Sequence, residues 1–387
     1  MRIALVHDLP PGGALRFVRE TTRRSAAEHR YDLVTAAGAG VDADLAEAVH
    51  AVVEVDVAKP AARLPGRVGD LFEFFARQRA IAQAIDDGAY DVALVHPSRI
   101  TQAPPVLTAL RDTPSLYFMH EVRRRTYEHG YRTSVASRRG LSTRPRALAG
   151  SLVEHRLAAA DRQATGAATA VVANSVFTIE SIARVYGRQA TLCHPGVDFD
   201  CFRPPVARTH DTVLSVGALD PSKGHDRCLA AMALLPRDRY PALTVAYERS
   251  DPAFERRLRE QAAALDIDLR LRARVSDAEL AALYATASVT VAAAPLEPLG
   301  LTVLESIATG TPVVALRQGG YRETVTDGVN GRLVDADPCS LAHAIVAVTE
   351  LARRTTPEAI RASVCGYWTW DRCVRDLHRA LHRTVQS

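Results

Sequence analysis

Lysine is almost missing from this chain: of its 48 basic residues only Lys59 and Lys223 are lysine, the rest being arginine. Such a bias reflects coding composition more than a need for guanidinium, so the places where lysine persists are informative. Lys59 sits in a plain loop sequence, Val57-Ala58-Lys59-Pro60, whereas Lys223 lies in Asp220-Pro221-Ser222-Lys223-Gly224-His225. Cysteine is sparse too, and the six (Cys193, Cys201, Cys228, Cys339, Cys365 and Cys373) include no C-x-x-C pair. They read as reduced, mostly packed thiols of a cytoplasmic protein, with no disulfide framework. No apolar run approaches the roughly 20 residues of a membrane span. Met1-Arg2 leads straight into the strand-like Ile3-Ala4-Leu5-Val6, which is not a signal peptide. A strong charge of either sign is also lacking, and the formal net charge of +4 gives no ground for a nucleic-acid partner.

What is present is ordinary globular composition, 47% hydrophobic and 24% charged, over 387 residues, a length that suits two domains. Short apolar runs alternate with helical patterns throughout, the mark of parallel sheets in α/β layers. The first half predicts strands at Ile3–His7, Asp32–Thr35, Val52–Val55, Val92–Val95, Ser115–Met119 and Ala170–Ala173. The second predicts them at Val213–Val216, Leu243–Ala246, Leu269–Leu271, Val289–Ala292, Pro312–Ala315 and Gly331–Val334. The turn-rich segment 194–205 separates the halves. The expected architecture is therefore two Rossmann-like, doubly wound domains, 1–195 and 206–370, facing across a cleft. Ligands of such sheets bind at the carboxyl ends of the strands.

The stretch Pro295-Leu296-Glu297-Pro298-Leu299-Gly300-Leu301-Thr302-Val303-Leu304-Glu305 is the most telling. Pro298 and Gly300 suit a tight turn, and from Leu301 the apolar spacing is helical until Gly310 and Pro312 stop it. Glu297 thus falls in the turn at the helix start, with Glu305 about two turns further on. The exposed amides of a helix N-terminus attract anions and hydroxyl oxygens. Carboxylates on either side can accept from vicinal hydroxyls, as a sugar and a ribose would offer.

This stretch resembles the E-x7-E signature of the retaining glycosyltransferases of glycosyltransferase family four, roughly E-P-F-G-L-x-x-L-E-A-x-A-x-G-x-P-V-V. Leu299 replaces Phe and Ser306 replaces Ala. Other segments resemble the same family: His194-Pro195-Gly196-Val197-Asp198 the interdomain connection, and Ala173-Asn174-Ser175-Val176-Phe177-Thr178 a strand-to-helix turn that Ser175 could cap. Tyr367-Trp368-Thr369-Trp370-Asp371 resembles the start of a terminal helix, 371–387, that packs back on the first domain; packing is the expected role of both tryptophans. The fold so implied is of the GT-B type, with an acceptor-binding first domain and a nucleotide-sugar-binding second domain.

The resemblance implies roles for single residues. Glu305 would hold the ribose hydroxyls, Glu297 the sugar hydroxyls, and the amides of Leu299, Gly300 and Leu301 the hexose. Lys223 would stabilise the leaving diphosphate, since a cation is needed there when no metal serves, and Gly217 would allow close backbone approach. The family's pattern, G-R-L-x-x-x-K-G, has arginine where this chain has Ala218. Gly12-Gly13, after the first strand, would bring amides to phosphate or acceptor. His120, in Tyr117-Phe118-Met119-His120-Glu121-Val122-Arg123-Arg124, would contact the donor sugar, and Arg124 would supply the charge missing at Ala218. His96 has a weaker claim, toward the acceptor. Val275, in Arg274-Val275-Ser276, would meet the base through its backbone. In Gly319-Gly320-Tyr321-Arg322-Glu323 the glycines would shape the sugar pocket, with Glu323 a helix N-terminal acid.

The activity implied is retaining transfer of a hexose-type sugar from a UDP- or GDP-linked donor to a hydroxyl acceptor, by front-face displacement without cofactor or metal. The arginine-rich stretch Arg123–Arg146 reads as a solvated loop or as a site for an anionic or membrane-surface acceptor, which would add peripheral contact with the inner membrane face to a cytoplasmic location. Two alternatives stand beside this. One is another activity on the same architecture, such as a nucleotide-sugar epimerase; a pyridoxal-dependent phosphorylase is disfavoured by the scarcity of lysine. The other, suggested by Ala218, is a catalytically degenerate nucleotide binder that supports a partner protein.

Overall fold

The computed structural model describes residues 1–57, 67–128, 144–205, 212–236, 238, 240 and 242–387. They divide into two units, the first comprising the chain through His194 together with Cys373–Ser387, the second Pro195–Arg372. Lys59 and most of the stretch Arg123–Arg146 lie outside the described residues.

The first unit is built on β1 (Arg2–Asp8), β2 (Arg30–Ala36), β3 (Ala51–Val55), β4 (Val92–Ser98), β5 (Ser115–Met119), β6 (Ala170–Ala173) and β7 (Thr191–Leu192). Their order is β3-β2-β1-β4-β5-β6-β7, and every pairing is parallel. β1 and β4 are neighbours, so the winding reverses between them. The sequence requires this burial, because β5 and the centre of β1 are continuous apolar runs with both faces covered. Helix Gly13–Ser25 covers part of one face, its Phe17 ring 4.2 Å from that of Phe118. Ser175 caps helix Val176–Tyr186, its Oγ accepting from the Thr178 amide at 3.0 Å. Helix Trp370–Gln386 buries Cys373, Leu377 and Leu381, and His378 Nε2 lies 3.0 Å from Ser25 Oγ.

The second unit contains β8 (Thr212–Val216), β9 (Ala242–Tyr247), β10 (Asp268–Ala273), β11 (Ala287–Ala292), β12 (Val313–Leu316) and β13 (Gly331–Val334). They are parallel in the order β10-β9-β8-β11-β12-β13, with the reversal between β8 and β11. Trp368 and Trp370 are buried, as packing residues are. Every expected strand is present, most within two residues of its expected limits; β4 continues three residues further, and β7 is an addition. All six cysteines are free.

Candidate functional site

In a doubly wound sheet the two loops leaving the strands at the winding reversal diverge to opposite faces and leave a crevice at the carboxyl ends. In the second unit those loops follow β8 and β11. The first carries Lys223 and the second Glu297, and Lys223 Nζ donates to Glu297 Oε2 at 2.8 Å. Both side chains are half-buried, so the pair is shielded but reachable.

The Lys223 loop is fixed from several sides. Asp220 Oδ1 accepts from the Ser222 amide at 2.8 Å and caps the short 3-10 helix Pro221–Lys223. Gly217 packs against the lysine stem, where a Cβ would stand 3.2 Å from Lys223 Cγ. Gly224 has φ +71°, and a Cβ there would lie 2.2 Å from the Ala293 carbonyl oxygen, so no other residue fits without moving that loop. Beneath it His225 is wholly buried. Its Nε2 is 3.1 Å from the Ala218 carbonyl and its Nδ1 2.9 Å from Ser215 Oγ. A carbonyl only accepts, so Nε2 carries the proton and Nδ1 accepts from Ser215. Burial lowers this histidine to about 4. It therefore stays neutral and pins Ala218 to the end of β8.

The Glu297 loop rests on the loop after β12. The Gly320 amide donates to the Glu297 carbonyl at 2.8 Å, and a Cβ on Gly319 would stand 2.3 Å from the same oxygen. Leu296 has φ +49°, a strained conformation for leucine that these contacts maintain. Helix Leu301–Ala308 then starts at Gly300, and its first amides have no intrahelical acceptor. Leu299 is buried beside them. Glu305, only 6% exposed, accepts from the Tyr284 hydroxyl at 3.0 Å. Tyr284 is wholly buried, and its own carbonyl accepts from Thr311 Oγ1 at 2.7 Å. Ser306 Oγ lies 2.7 Å from Thr290 Oγ1 and 3.0 Å from the Thr311 carbonyl, which accounts for a hydroxyl at that position. Val275 is half-buried after Arg274, whose φ of +50° marks a tight turn before the capping box of Ser276 and Glu279.

Chemically, this crevice offers a cation, two carboxylates and helix amides. That set suits a ligand with an anionic group and neighbouring hydroxyls. Among the described residues, no group of three or more His, Cys, Asp or Glu side chains is arranged to hold a metal ion.

The first unit carries most of the other expected residues. Gly12 and Gly13 open helix Gly13–Ser25 after β1, Gly12 at φ +144°. His120 follows β5, and His96 lies within the extended end of β4. Arg124 Nε donates to Glu128 Oε2 at 2.6 Å with both side chains buried, so its charge is compensated within its own turn. Glu323 occupies the first turn of helix Tyr321–Thr324, as expected.

Sequence reasoning had assigned no role to Tyr284, Ser215 or His225. It also gave none to Arg361, whose guanidinium donates to the carbonyls of Phe199 and Phe202 and, at 2.7 Å, to that of Ala308, tying the interdomain segment to the end of the Glu305 helix. Only His225, next to Lys223 and Gly224, carried a local signal.

Comparison with known proteins bears on this geometry. The sequence model of "Glycosyl transferases group 1" matches residues 199–363. A D-inositol 3-phosphate glycosyltransferase of Geodermatophilus obscurus is 36% identical over 251 residues, which make up 59% of this chain and 55% of the relative. D-inositol 3-phosphate glycosyltransferase 1 of Catenulispora acidiphila is 28% identical over 77% of this chain and 73% of its own length. The chain spans about half the length of the first of the curated relatives it matches. Among solved structures, sucrose-phosphate synthase from Thermosynechococcus elongatus superposes with a TM-score of 0.75 at 21% identity, covering 99% of this chain and 98% of that one. Anabaena HepE in complex with UDP and glucose gives 0.71 at 18% identity, covering 99% and 100%. With two parallel-sheet α/β units and these neighbours, the fold is GT-B.

Proposed function

We propose that this chain is a retaining glycosyltransferase, which transfers a hexose-type sugar from a nucleoside diphosphate sugar to an acceptor hydroxyl. The observation that carries the reading is the Lys223–Glu297 pair at the β8/β11 reversal, with Glu305 on the helix that follows. In this reading the diphosphate takes Lys223 as its counter-ion, and Glu297 turns its acceptors to the sugar hydroxyls. Glu305 accepts from the ribose hydroxyls while Tyr284 holds its other face. The amides of Leu299, Gly300 and Leu301 meet the hexose, and the backbone at Val275 meets the base.

Removing charge from the leaving diphosphate is what lowers the barrier to breaking the anomeric bond. Here that task falls to Lys223 and the helix amides; Arg124 would first have to leave Glu128. The match to relatives named for D-inositol 3-phosphate, and the solved complex of HepE with UDP, make a UDP-sugar and a phosphorylated cyclitol the first substrates to test. Gly12 and Gly13 bring backbone amides to phosphate or acceptor in this proposal, and His120 contacts the donor sugar. Ala218 favours a second reading, a nucleotide binder without turnover that supports a partner.

The test is incubation with a panel of UDP- and GDP-sugars, with and without polyol acceptors, followed by NMR of the products. Transfer with the donor's anomeric configuration preserved supports the proposal, and inversion removes the retaining part. Binding of nucleotide with neither transfer nor donor hydrolysis selects the second reading.

A further inference from the structure

His96 and His120 meet inside the first unit, beside the β1/β4 reversal. His96 is wholly buried and His120 is 8% exposed. His96 Nδ1 lies 3.2 Å from His120 Nε2, and the rings meet edge to edge, their planes 22° apart and their centroids separated by 5.4 Å. Phe17 of helix Gly13–Ser25 sets its edge against His120 at 5.3 Å. The other nitrogen of His96, Nε2, is buried without a partner.

Burial holds His120 down to about 3 and His96 well below its ordinary value, so both rings are neutral at physiological pH. One proton then lies between them, and it can be placed in two ways. If His120 donated Nε2–H to His96 Nδ1, His96 would carry its own proton on Nε2, a buried N–H with no acceptor. If His96 donates Nδ1–H to His120 Nε2, its Nε2 is only a bare acceptor. Buried N–H groups without partners are rare, and unsatisfied acceptors less so. The second arrangement is therefore the stable one.

We propose that His96 is a positioning residue: by donating Nδ1–H to His120 Nε2 it fixes His120 as the Nδ1–H tautomer. His120 then offers a hydrogen-bond donor to an oxygen of the sugar or its acceptor at the carboxyl edge of this sheet. In that tautomer Nδ1 cannot take a proton, so His120 orients an oxygen and does not act as the general base. The identity of that oxygen rests on the proposed sugar transfer; the tautomer does not.

Two measurements on the full chain test this. Long-range ¹H–¹⁵N spectra of histidine-labelled protein, with His120→Gln used to identify the His120 signals among the 13 histidines, read the tautomer directly. Wild type is expected to show protonated Nδ1 and bare Nε2. His96→Phe should lose that pattern, whereas His96→Asn, whose amide can donate from nearly the same place, should keep it. With nucleotide affinity unchanged, His96→Phe should lower the transfer kcat on the order of 10–100-fold, as lost positioning does, and His96→Asn should recover most of it. An Nε2–H or doubly protonated His120 in wild type would overturn the assignment. So would a His96→Asn protein that melts like wild type yet is as slow as His96→Phe. If wild type neither transfers nor hydrolyses any donor, the functional reading falls, and the tautomer spectra still decide the role of His96.

Discussion

Replacing Gly224 by alanine should damage the protein through two separable effects. The first is conformational. At φ +71° an L-residue with a Cβ occupies the left-handed region at a cost of about 1–2 kcal/mol. The second is steric, because the new Cβ would stand 2.2 Å from the Ala293 carbonyl oxygen, inside the 3.0 Å that real Cβ contacts respect. Overpacking of this kind costs about 1–3 kcal/mol more, since the loop after β8 or the one after β11 must shift. Gly328 supplies the control. It lies in the same unit with φ +76°, but nothing stands within 4 Å of its Cβ position. Gly328→Ala therefore carries the conformational cost alone. For a domain of this size each kcal/mol lowers the melting temperature by roughly 2–4 °C. Gly328→Ala should melt a few degrees low, and Gly224→Ala lower again by a clear margin. Gly224→Ala should also cut turnover on the order of 100-fold, because Lys223 is its neighbour and small misplacements of reacting groups are costly. The assays are thermal unfolding by circular dichroism and sugar transfer at a temperature where both variants are folded. Equal melting temperatures for the two variants would refute the packing argument.

Lys223→Ala should lower transfer by about 2.7–4 kcal/mol of transition-state stabilisation, while apo stability changes by no more than about 1 kcal/mol, because the pair with Glu297 is half-exposed; a rate within a few-fold of wild type would place the diphosphate elsewhere. Tyr284→Phe leaves a carboxylate oxygen of buried Glu305 without its hydroxyl donor, and should cost about 1.5–3 kcal/mol in thermal stability; an unchanged melting temperature would show that the bond contributes nothing. Acid should destabilise the second unit through His225, whose burial lowers it to about 4 against 6.5 in the unfolded chain. Above 6.5 neither state binds the proton; between 6.5 and 4 only the unfolded state does, so stability falls as pH falls through that window, by on the order of 3 kcal/mol at its lower end. Unfolding curves from pH 7 to pH 4 should show a shallower fall in His225→Gln than in wild type, and parallel curves would contradict the burial argument.

The central strands were legible because they are largely apolar runs, which parallel sheets covered on both faces require, while the edge strand β10 mixes leucines with charged residues. β7 was not, since two residues at a sheet edge leave no pattern. The Glu297 loop and helix were legible from proline, glycine and spacing, but that Lys223 touches Glu297 is a matter of tertiary structure, with 74 residues between them. Tyr284 reaches Glu305 from a helix 21 residues earlier, so nothing local announced it. The pairing of Arg124 with Glu128 was open to inspection, because acids and bases four apart on a helix face each other. His96 and His120 could have been brought together only by the register of β4 and β5, which a single sequence does not state.

The most direct test of the account is the melting temperature of wild type and Glu305→Ala with saturating UDP or GDP. Binding to the folded state alone stabilises it by about 2.7 kcal/mol at a ligand concentration of 100 Kd. The account predicts that one of the two nucleotides raises the wild-type melting temperature by several degrees, and that Glu305→Ala, folded but without its buried ribose acceptor, shows no such rise. Equal stabilisation of the two proteins, or none of wild type by either nucleotide, would contradict it.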